Sequence, residues 1–150
     1  MKLSKIVFPL NPDDWHGQST ETVWAEKENK NCYAVRNVPF HVKGIALDDL
    51  ISVKIVKGIL CFDKVTERSG HSTYRILIDK KNMTVEFPKY WEPLEKLGCT
   101  YETAEIGKMC LIAVDAPKGT DINDVFRLLE LGEEAKVWSF EEGYFGHASK

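Results

Sequence analysis

The stretch "STYRILID", Ser72 to Asp79, decides the fold that the following residues can adopt. Its β-branched, aromatic and aliphatic residues predict a β-strand. The residues after it predict, in order, a helix, a hairpin with Gly107 at its turn, a second helix and a last strand. From Tyr74 onward this is the order of the split βαβ, or ferredoxin-like, arrangement, in which a four-stranded antiparallel sheet carries two helices on one face.

Both predicted helices carry end signals in the sequence. The first lies in "MTVEFPKYWEPLEKLG", where Gly98 supplies the C-terminal cap. The second lies in "TDINDVFRLLELGEEAKVW", where Thr120 or Asp121 can cap the first turn and Gly132 is expected to end the helix. Apolar residues recur at helical spacing, at Ile122, Val125, Phe126 and Leu129. "KVWSFEEGYFGH" then predicts the closing strand.

The residues before Ser72 predict a β-rich unit. "TETVWAEKEN" and "CYAVRNVPF" alternate in polarity around a turn, which predicts a hairpin. Further short strands around Gly58 predict a small curled sheet or barrel. The fold class is therefore α+β. We expect an N-terminal arm at residues 1–19, a β-rich subdomain at 20–73 and a ferredoxin-like subdomain at 74–150, and the two subdomains could form one integrated domain.

Composition and charge limit the classes of function that the chain can have. The chain has 150 residues, 43% hydrophobic and 29% charged, which is typical of a folded soluble domain. A formal net charge of -3 argues against general nucleic-acid binding. From Cys99 to Lys150 there are ten Asp and Glu against five Lys and Arg, so the acidity is concentrated at the C-terminal end. Such asymmetry indicates either a basic partner or a solvated helix face.

The cysteines and the N-terminus indicate a cellular compartment. Cys32, Cys61, Cys99 and Cys110 show no zinc-type spacing, so we expect no metal. We expect no cofactor either, because no phosphate-binding glycine loop is present. The apolar run near the N-terminus is broken by prolines and supports neither a signal peptide nor a membrane span. The chain is thus expected to be cytoplasmic, with reduced thiols.

The segment "SGHST" raises the question of catalysis. A serine nucleophile needs a neighbouring base, and Ser72 follows His71 directly. The sequence around them lacks the strand, turn and helix motif of a nucleophile elbow, so we assign no catalytic residue. The favoured interpretation is a turn in which Gly70 takes a positive φ and His71 is held by hydrogen bonds that support the turn and Arg75. A ligand site formed by His71, Ser72, Thr73 and Arg75 remains the alternative.

A cluster of acids and aromatics near the C-terminus predicts a protein-binding surface. The acids are Glu130, Glu133, Glu134, Glu141 and Glu142, and Trp138 and Tyr144 could act as apolar anchors. Aromatic residues beside charges are common in interface hot spots. The expected partner is a basic protein, such as a toxin nuclease domain, because a cleft that holds phosphates is basic. An ordinary solvated strand end is the alternative.

Several blocks together resemble a known family. "YAVRNVPF", "GIALDDLISV", "SGHSTYRI", "LIAVDAP" and "VWSFEEG" are similar, in order and spacing, to the uncharacterised bacterial domain-of-unknown-function family four-two-six-five. The resemblance implies a bacterial cytoplasmic protein and no particular activity.

In size and charge the chain also resembles, more loosely, immunity proteins that neutralise a toxin by direct contact. We therefore expect a non-enzymatic binding protein, most concretely an immunity protein. The alternative is an enzyme or small-ligand protein with its site at the junction around His71.

Overall fold

The strands and helices follow the expected order in the computed structural model, which describes residues 2–147. The first half contains β1 Leu3–Pro9, β2 Thr20–Asn29, β3 Cys32–Val35, β4 Leu50–Val56 and β5 Ile59–Glu67. The second half contains β6 Ser72–Asp79, α1 Glu86–Lys96, β7 Thr100–Ile106, β8 Met109–Ala116, α2 Ile122–Glu134 and β9 Ser139–Tyr144. The structure thus confirms the α+β class.

The first half is a closed barrel. Strands β1 to β5 each pair antiparallel with the next, and a parallel pairing of Val7 with Cys61 joins β1 to β5. Alternate side chains point inward, as the period of two in a strand requires. They form a buried core that includes Ile6, Phe8, Val23, Ala25, Val35 and Ile51. The predicted curled, barrel-like unit is confirmed.

The second half is a four-stranded antiparallel sheet in the order β7, β8, β6, β9. This order is the ferredoxin-like one, so the prediction made from "STYRILID" is confirmed. Alternate residues of β6 and β8 face α1 and α2 in one core. The buried members of that core include Tyr74, Ile76, Ile112, Val114, Trp91, Leu94, Val125 and Leu129. The opposite face of β6 carries Thr73 and Arg75, which are also buried.

Two sequence predictions need correction. The expected arm at residues 1–19 contains β1, which is a full barrel strand, because Ile6 and Phe8 have buried inward positions to fill. Gly132 does not end α2, which runs to Glu134, while Lys136 takes the left-handed conformation at φ 60°. Gly132 lies inside the helix because the Trp138 indole packs against it, leaving no room for a side chain.

The two halves meet at the sheet face that the helices leave uncovered. The amide of Gly44 donates to the carbonyl of Gly143 at 3.0 Å. The amide of Val38 donates to the Glu102 carboxylate at 2.8 Å. The loop between β3 and β4 is therefore fixed to the sheet at two points, near its start and near its middle. None of the helices within residues 2–147 has the length and apolar composition to cross a membrane.

Candidate functional site

The turn that joins the two halves is organised by a buried carboxylate. Asp49 is fully buried and accepts hydrogen bonds from the amides of Ala46 and Ser69 at 3.0 and 2.8 Å. The Arg68 guanidinium lies 3.0 Å from the same carboxylate and compensates its charge. Gly70 follows with φ 91°, a conformation that favours glycine. The predicted turn with a positive φ is therefore present and is anchored to the barrel.

His71 lies between two carboxylates. Its Nδ1 is 2.8 Å from Asp115 Oδ1, and its Nε2 is 3.8 Å from Asp48 Oδ2. Asp115 is buried, and burial raises the pKa of its carboxyl, although the His71 hydrogen bond lowers it. Asp48 has a left-handed backbone with φ 67° and also binds Arg36. His71 thus joins β8 to the loop before β4, and its hydrogen bonds support the junction.

Ser72 has a different histidine partner from its sequence neighbour. Its Oγ lies 2.6 Å from His147 Nδ1 and accepts the amide of Gly146 at 2.9 Å. His147 Nε2 donates to the carbonyl of Pro117, so Nδ1 is the acceptor for the Ser72 hydroxyl. This is the geometry of a serine and histidine pair. Ser72 is fully buried, however, and a substrate carbonyl cannot reach it without displacing the chain.

Thr73 and Arg75 connect the sheet to the barrel loops. The Thr73 hydroxyl donates to the carbonyl of Ile45 at 3.0 Å. The Arg75 guanidinium donates to three backbone carbonyls, those of Pro39, His41 and Val42, and binds the Glu141 carboxylate at 3.3 Å. Burial lowers the pKa of Arg75, and the Glu141 charge opposes that shift. Among residues 2–147 no hydrogen bond or ion pair joins His71 to Arg75, so the structure shows no direct support of Arg75 by His71.

The predicted acidic residues do not form one surface. Glu130, Glu133 and Glu134 are exposed on α2, and Glu142 is exposed on β9. Glu141 points to the opposite face of the sheet, where it binds Arg75. Alternation along β9 causes this separation, because neighbouring residues of a strand face opposite sides.

The two predicted aromatic anchors are occupied within the chain. Trp138 is buried, and its indole N–H donates to the carbonyl of Leu129 at 2.9 Å, so its expected role as an exposed anchor is wrong. The Tyr144 ring lies under the Arg68 guanidinium at 4.1 Å and is half-buried. Both side chains fill positions near the ends of β9 that the fold itself requires.

Three of the acids surround an exposed aromatic pair, which the sequence reasoning missed. Phe126 of α2 is 41% exposed and contacts the half-buried Phe140 of β9, with ring centroids 5.6 Å apart. Glu133 accepts the amide of Phe140 at 3.1 Å. Glu130 lies one turn after Phe126, and Glu142 lies two residues after Phe140 on the same face. We call this surface the α2–β9 edge: Phe126, Glu130, Glu133, Phe140 and Glu142.

Other residues of the junction were also missed. Asp49 and Asp115 bind residues from another part of the chain, and His147 lies 75 positions from Ser72. One local signal existed for Asp115, a charged residue inside the apolar run "CLIAVDA". Buried carboxylates need partners, so such a position indicates a hydrogen-bonded site. Within residues 2–147 no group of three His, Cys, Asp or Glu has the geometry of a metal site.

The chain is similar to known sequences and structures over most of its length. The family described as Domain of unknown function (DUF4265) matches residues 21–140. No curated protein matches the sequence. The fold is similar to the crystal structure of a hypothetical protein from Neisseria gonorrhoeae, with a TM-score of 0.75 over 99% of each chain and 19% sequence identity. At that identity, the likeness shows the fold alone.

Proposed function

The chain belongs to the DUF4265 family, and from that premise we propose that it is a non-enzymatic bacterial binding protein that uses the α2–β9 edge to bind a basic protein. In its most specific version, the proposal is that the chain is a cytoplasmic immunity protein, which neutralises a toxin by direct contact. The target surface would be the basic cleft of a toxin's catalytic domain, such as a nuclease. Binding across such a cleft excludes the phosphate groups that it holds.

The observation that carries this proposal is the chemistry of the α2–β9 edge. An exposed Phe126 packed on Phe140 offers an apolar centre, and Glu130, Glu133 and Glu142 surround it. Interfaces commonly have a desolvated aromatic centre and a polar rim. Clustered negative potential also accelerates the encounter with a positive surface.

The junction around His71, the alternative site, is less favoured because its polar groups are already used. Ser72, Thr73 and Arg75 are buried, and each has a hydrogen-bond partner within the chain. A catalytic serine needs an approach path for its substrate and a donor pair for the oxyanion. The hydrogen bond from Thr73 to Ile45 instead stabilises the contact between the two halves, and those of Ser72 hold Gly146 and His147 against the start of β6.

The cysteines are compatible with a reducing compartment. All four are free, and burial raises the pKa of the Cys99 thiol to about 12. A thiol with that pKa stays protonated at neutral pH and is a poor nucleophile. Free thiols are what the cytoplasmic part of the proposal requires, whereas the pKa of Cys99 bears only on its reactivity.

Co-expression with the product of the neighbouring gene tests the proposal. Immunity proteins are normally encoded beside their toxins, so we expect the two chains to co-purify at low salt. The complex should be lost from a Glu130→Lys/Glu142→Lys variant that remains folded. Failure to co-purify at low salt, or a complex indifferent to these reversals, would contradict the proposal.

A further inference from the structure

A cleft separate from the α2–β9 edge opens between the barrel loops and β7. It has a volume of about 620 Å³. Trp15 lines it and also lines an adjoining space of about 230 Å³ against the sheet, whose floor is formed by Leu77 and Leu111. The cleft is therefore bounded on one side by a loop that follows β1 and on the other by the rigid sheet.

Aromatic rings form one wall of the cleft. Trp15 is 56% exposed, and its ring centroid is 5.9 Å from that of His41. The His41 ring contacts that of His16 at 4.6 Å, and Phe40 lines the same space. The faces of aromatic rings carry negative partial charge and attract cations.

Carboxylates outnumber cations among the described residues that line the two spaces. Glu21, Glu105 and Glu141 contribute carboxylates, against the single guanidinium of Arg75. Glu21 accepts three backbone amides, those of Phe40, His41 and Val42, which fixes its position at the wall.

The cations nearby are already paired. Arg75 directs its donors to backbone carbonyls and to Glu141, and Lys80 binds Glu105 at 3.3 Å. An anion would therefore find no free cation among the lining residues that the structure describes. These ion pairs also occupy Glu141 and Glu105, but a carboxylate has several acceptor sites, and the Glu105 side chain is 77% exposed.

His41 adds a polar group that lacks a partner. Its Nδ1 is buried and has no hydrogen-bond partner within the described part of the chain. Burial lowers the pKa of His41, and the neighbouring Glu21 opposes this shift. A neutral imidazole can accept a hydrogen bond at one of its nitrogens, so the wall contains a possible acceptor that the chain itself does not use.

We propose that this cleft binds an organic cation, a guanidinium or alkylammonium group, with the charge over the Trp15 ring and near Glu105 and Glu141. Aromatic rings combined with carboxylates are the chemistry that recognises such groups. The cation could belong to a free small molecule or to an arginine side chain of a peptide. The proposal does not depend on the function of the α2–β9 edge: the two surfaces share Phe140, which also lines the smaller space, but the edge carboxylates Glu130, Glu133 and Glu142 do not line either space.

NMR titration of the full chain tests the site. The probes are agmatine and a blocked arginine tripeptide, with pentylurea as the neutral control and butyrate as the anionic one. We expect saturable shifts of the Trp15 indole and the His41 ring with a cationic probe only. Saturation by agmatine would identify a free cation as the ligand, and saturation by the tripeptide alone would identify a side chain.

Matched variants separate the cleft from general surface binding. Trp15→Ala should abolish the saturable shifts, whereas Trp24→Ala, which removes another exposed tryptophan, should leave them unchanged. Glu105→Gln should weaken binding about two- to five-fold, the range for one exposed charge, and Glu95→Gln should not. Equal binding of pentylurea, preference for butyrate, absence of saturation by either cation, or insensitivity to Trp15→Ala would overturn the proposal.

Discussion

The Arg75 guanidinium donates a hydrogen bond to the backbone carbonyl of Val42 at 2.7 Å, and this contact joins the ferredoxin-like sheet to the barrel. Arg75 is buried, and the carbonyls of Pro39 and His41 and the Glu141 carboxylate accept its further hydrogen bonds. Gly143 leaves the space that the guanidinium occupies, since a Cβ there would lie 3.0 Å from its Nη1. One side chain therefore carries much of the polar contact between the halves.

Replacement of Arg75 by methionine should destabilise the fold by about 3 to 5 kcal/mol, the range for breaking a buried ion pair. The change leaves three carbonyls and the Glu141 charge without their donor. Urea unfolding followed by circular dichroism measures the effect. Arg127→Met, at an exposed position of α2, is the control and should change stability by less than about 1 kcal/mol. Equal effects of the two substitutions would contradict the role of Arg75.

His71→Ala should cost about 1 to 2 kcal/mol, because the buried Asp115 carboxylate loses its hydrogen bond. Asp115→Asn in the same background should recover part of that loss, since a neutral amide is cheaper to leave buried. Thermal melting of the two single variants and the double variant gives the coupling. An unchanged melting temperature for His71→Ala would contradict this account. So would labelling of Ser72 by a phosphonate probe.

Gly132→Ala should destabilise the protein by about 1 to 3 kcal/mol or more, the cost of overpacking. Helix propensity alone predicts the opposite effect, an increase in stability of about 1 kcal/mol, because alanine favours the helix more than glycine does. The structure decides between them, because an alanine Cβ would overlap the Trp138 indole. Gly119→Ala is the matched control, as nothing lies within 4 Å of its Cβ position. A Gly132→Ala protein as stable as the control would show that Trp138 is not packed there.

Acidification should destabilise the protein through His41. Burial lowers its pKa from the ordinary 6.5, so between the lowered and the ordinary pKa the unfolded chain binds more protons than the folded one. The unfolding free energy then rises with pH through this range. Above the ordinary pKa, His41 is neutral in both states and no longer destabilises the fold. The unfolding free energy, measured at about pH 7 and about pH 5, should differ less between the two pH values for His41→Gln than for the wild type. An identical pH dependence in the two proteins would remove His41 as its source.

The fold was more predictable than the site, for reasons that particular residues make clear. The β-branched, aromatic and aliphatic residues of "STYRILID" and the Asp121 cap are local signals, and they predict β6 and α2 correctly. β1 was missed because prolines and acids follow its apolar run directly. Gly132 was read as a helix end because glycine commonly ends helices. Its packing against Trp138 depends on the return of the chain after α2.

The candidate sites depend on contacts between distant residues. Asp115 lies 44 positions from His71, and no local pattern pairs them. The pairing of Phe126 with Phe140 likewise requires α2 to lie beside β9. The sequence could predict the acids of the C-terminal third. It could not predict which of them lie around one aromatic pair, because the packing of α2 beside β9 decides that.

The rate of association with the co-purified partner tests the central claim most directly. We would measure it by stopped-flow fluorescence at low and high salt for the wild type, for Glu130→Lys/Glu142→Lys, and for Asp63→Lys/Glu67→Lys on β5, which changes the net charge equally. Binding through the α2–β9 edge predicts that the first variant associates about ten-fold or more slowly at low salt and loses most of its salt dependence, while the second stays near the wild type. Equal slowing of both variants would mean that only net charge matters, and an unchanged rate for Glu130→Lys/Glu142→Lys would contradict binding at this surface.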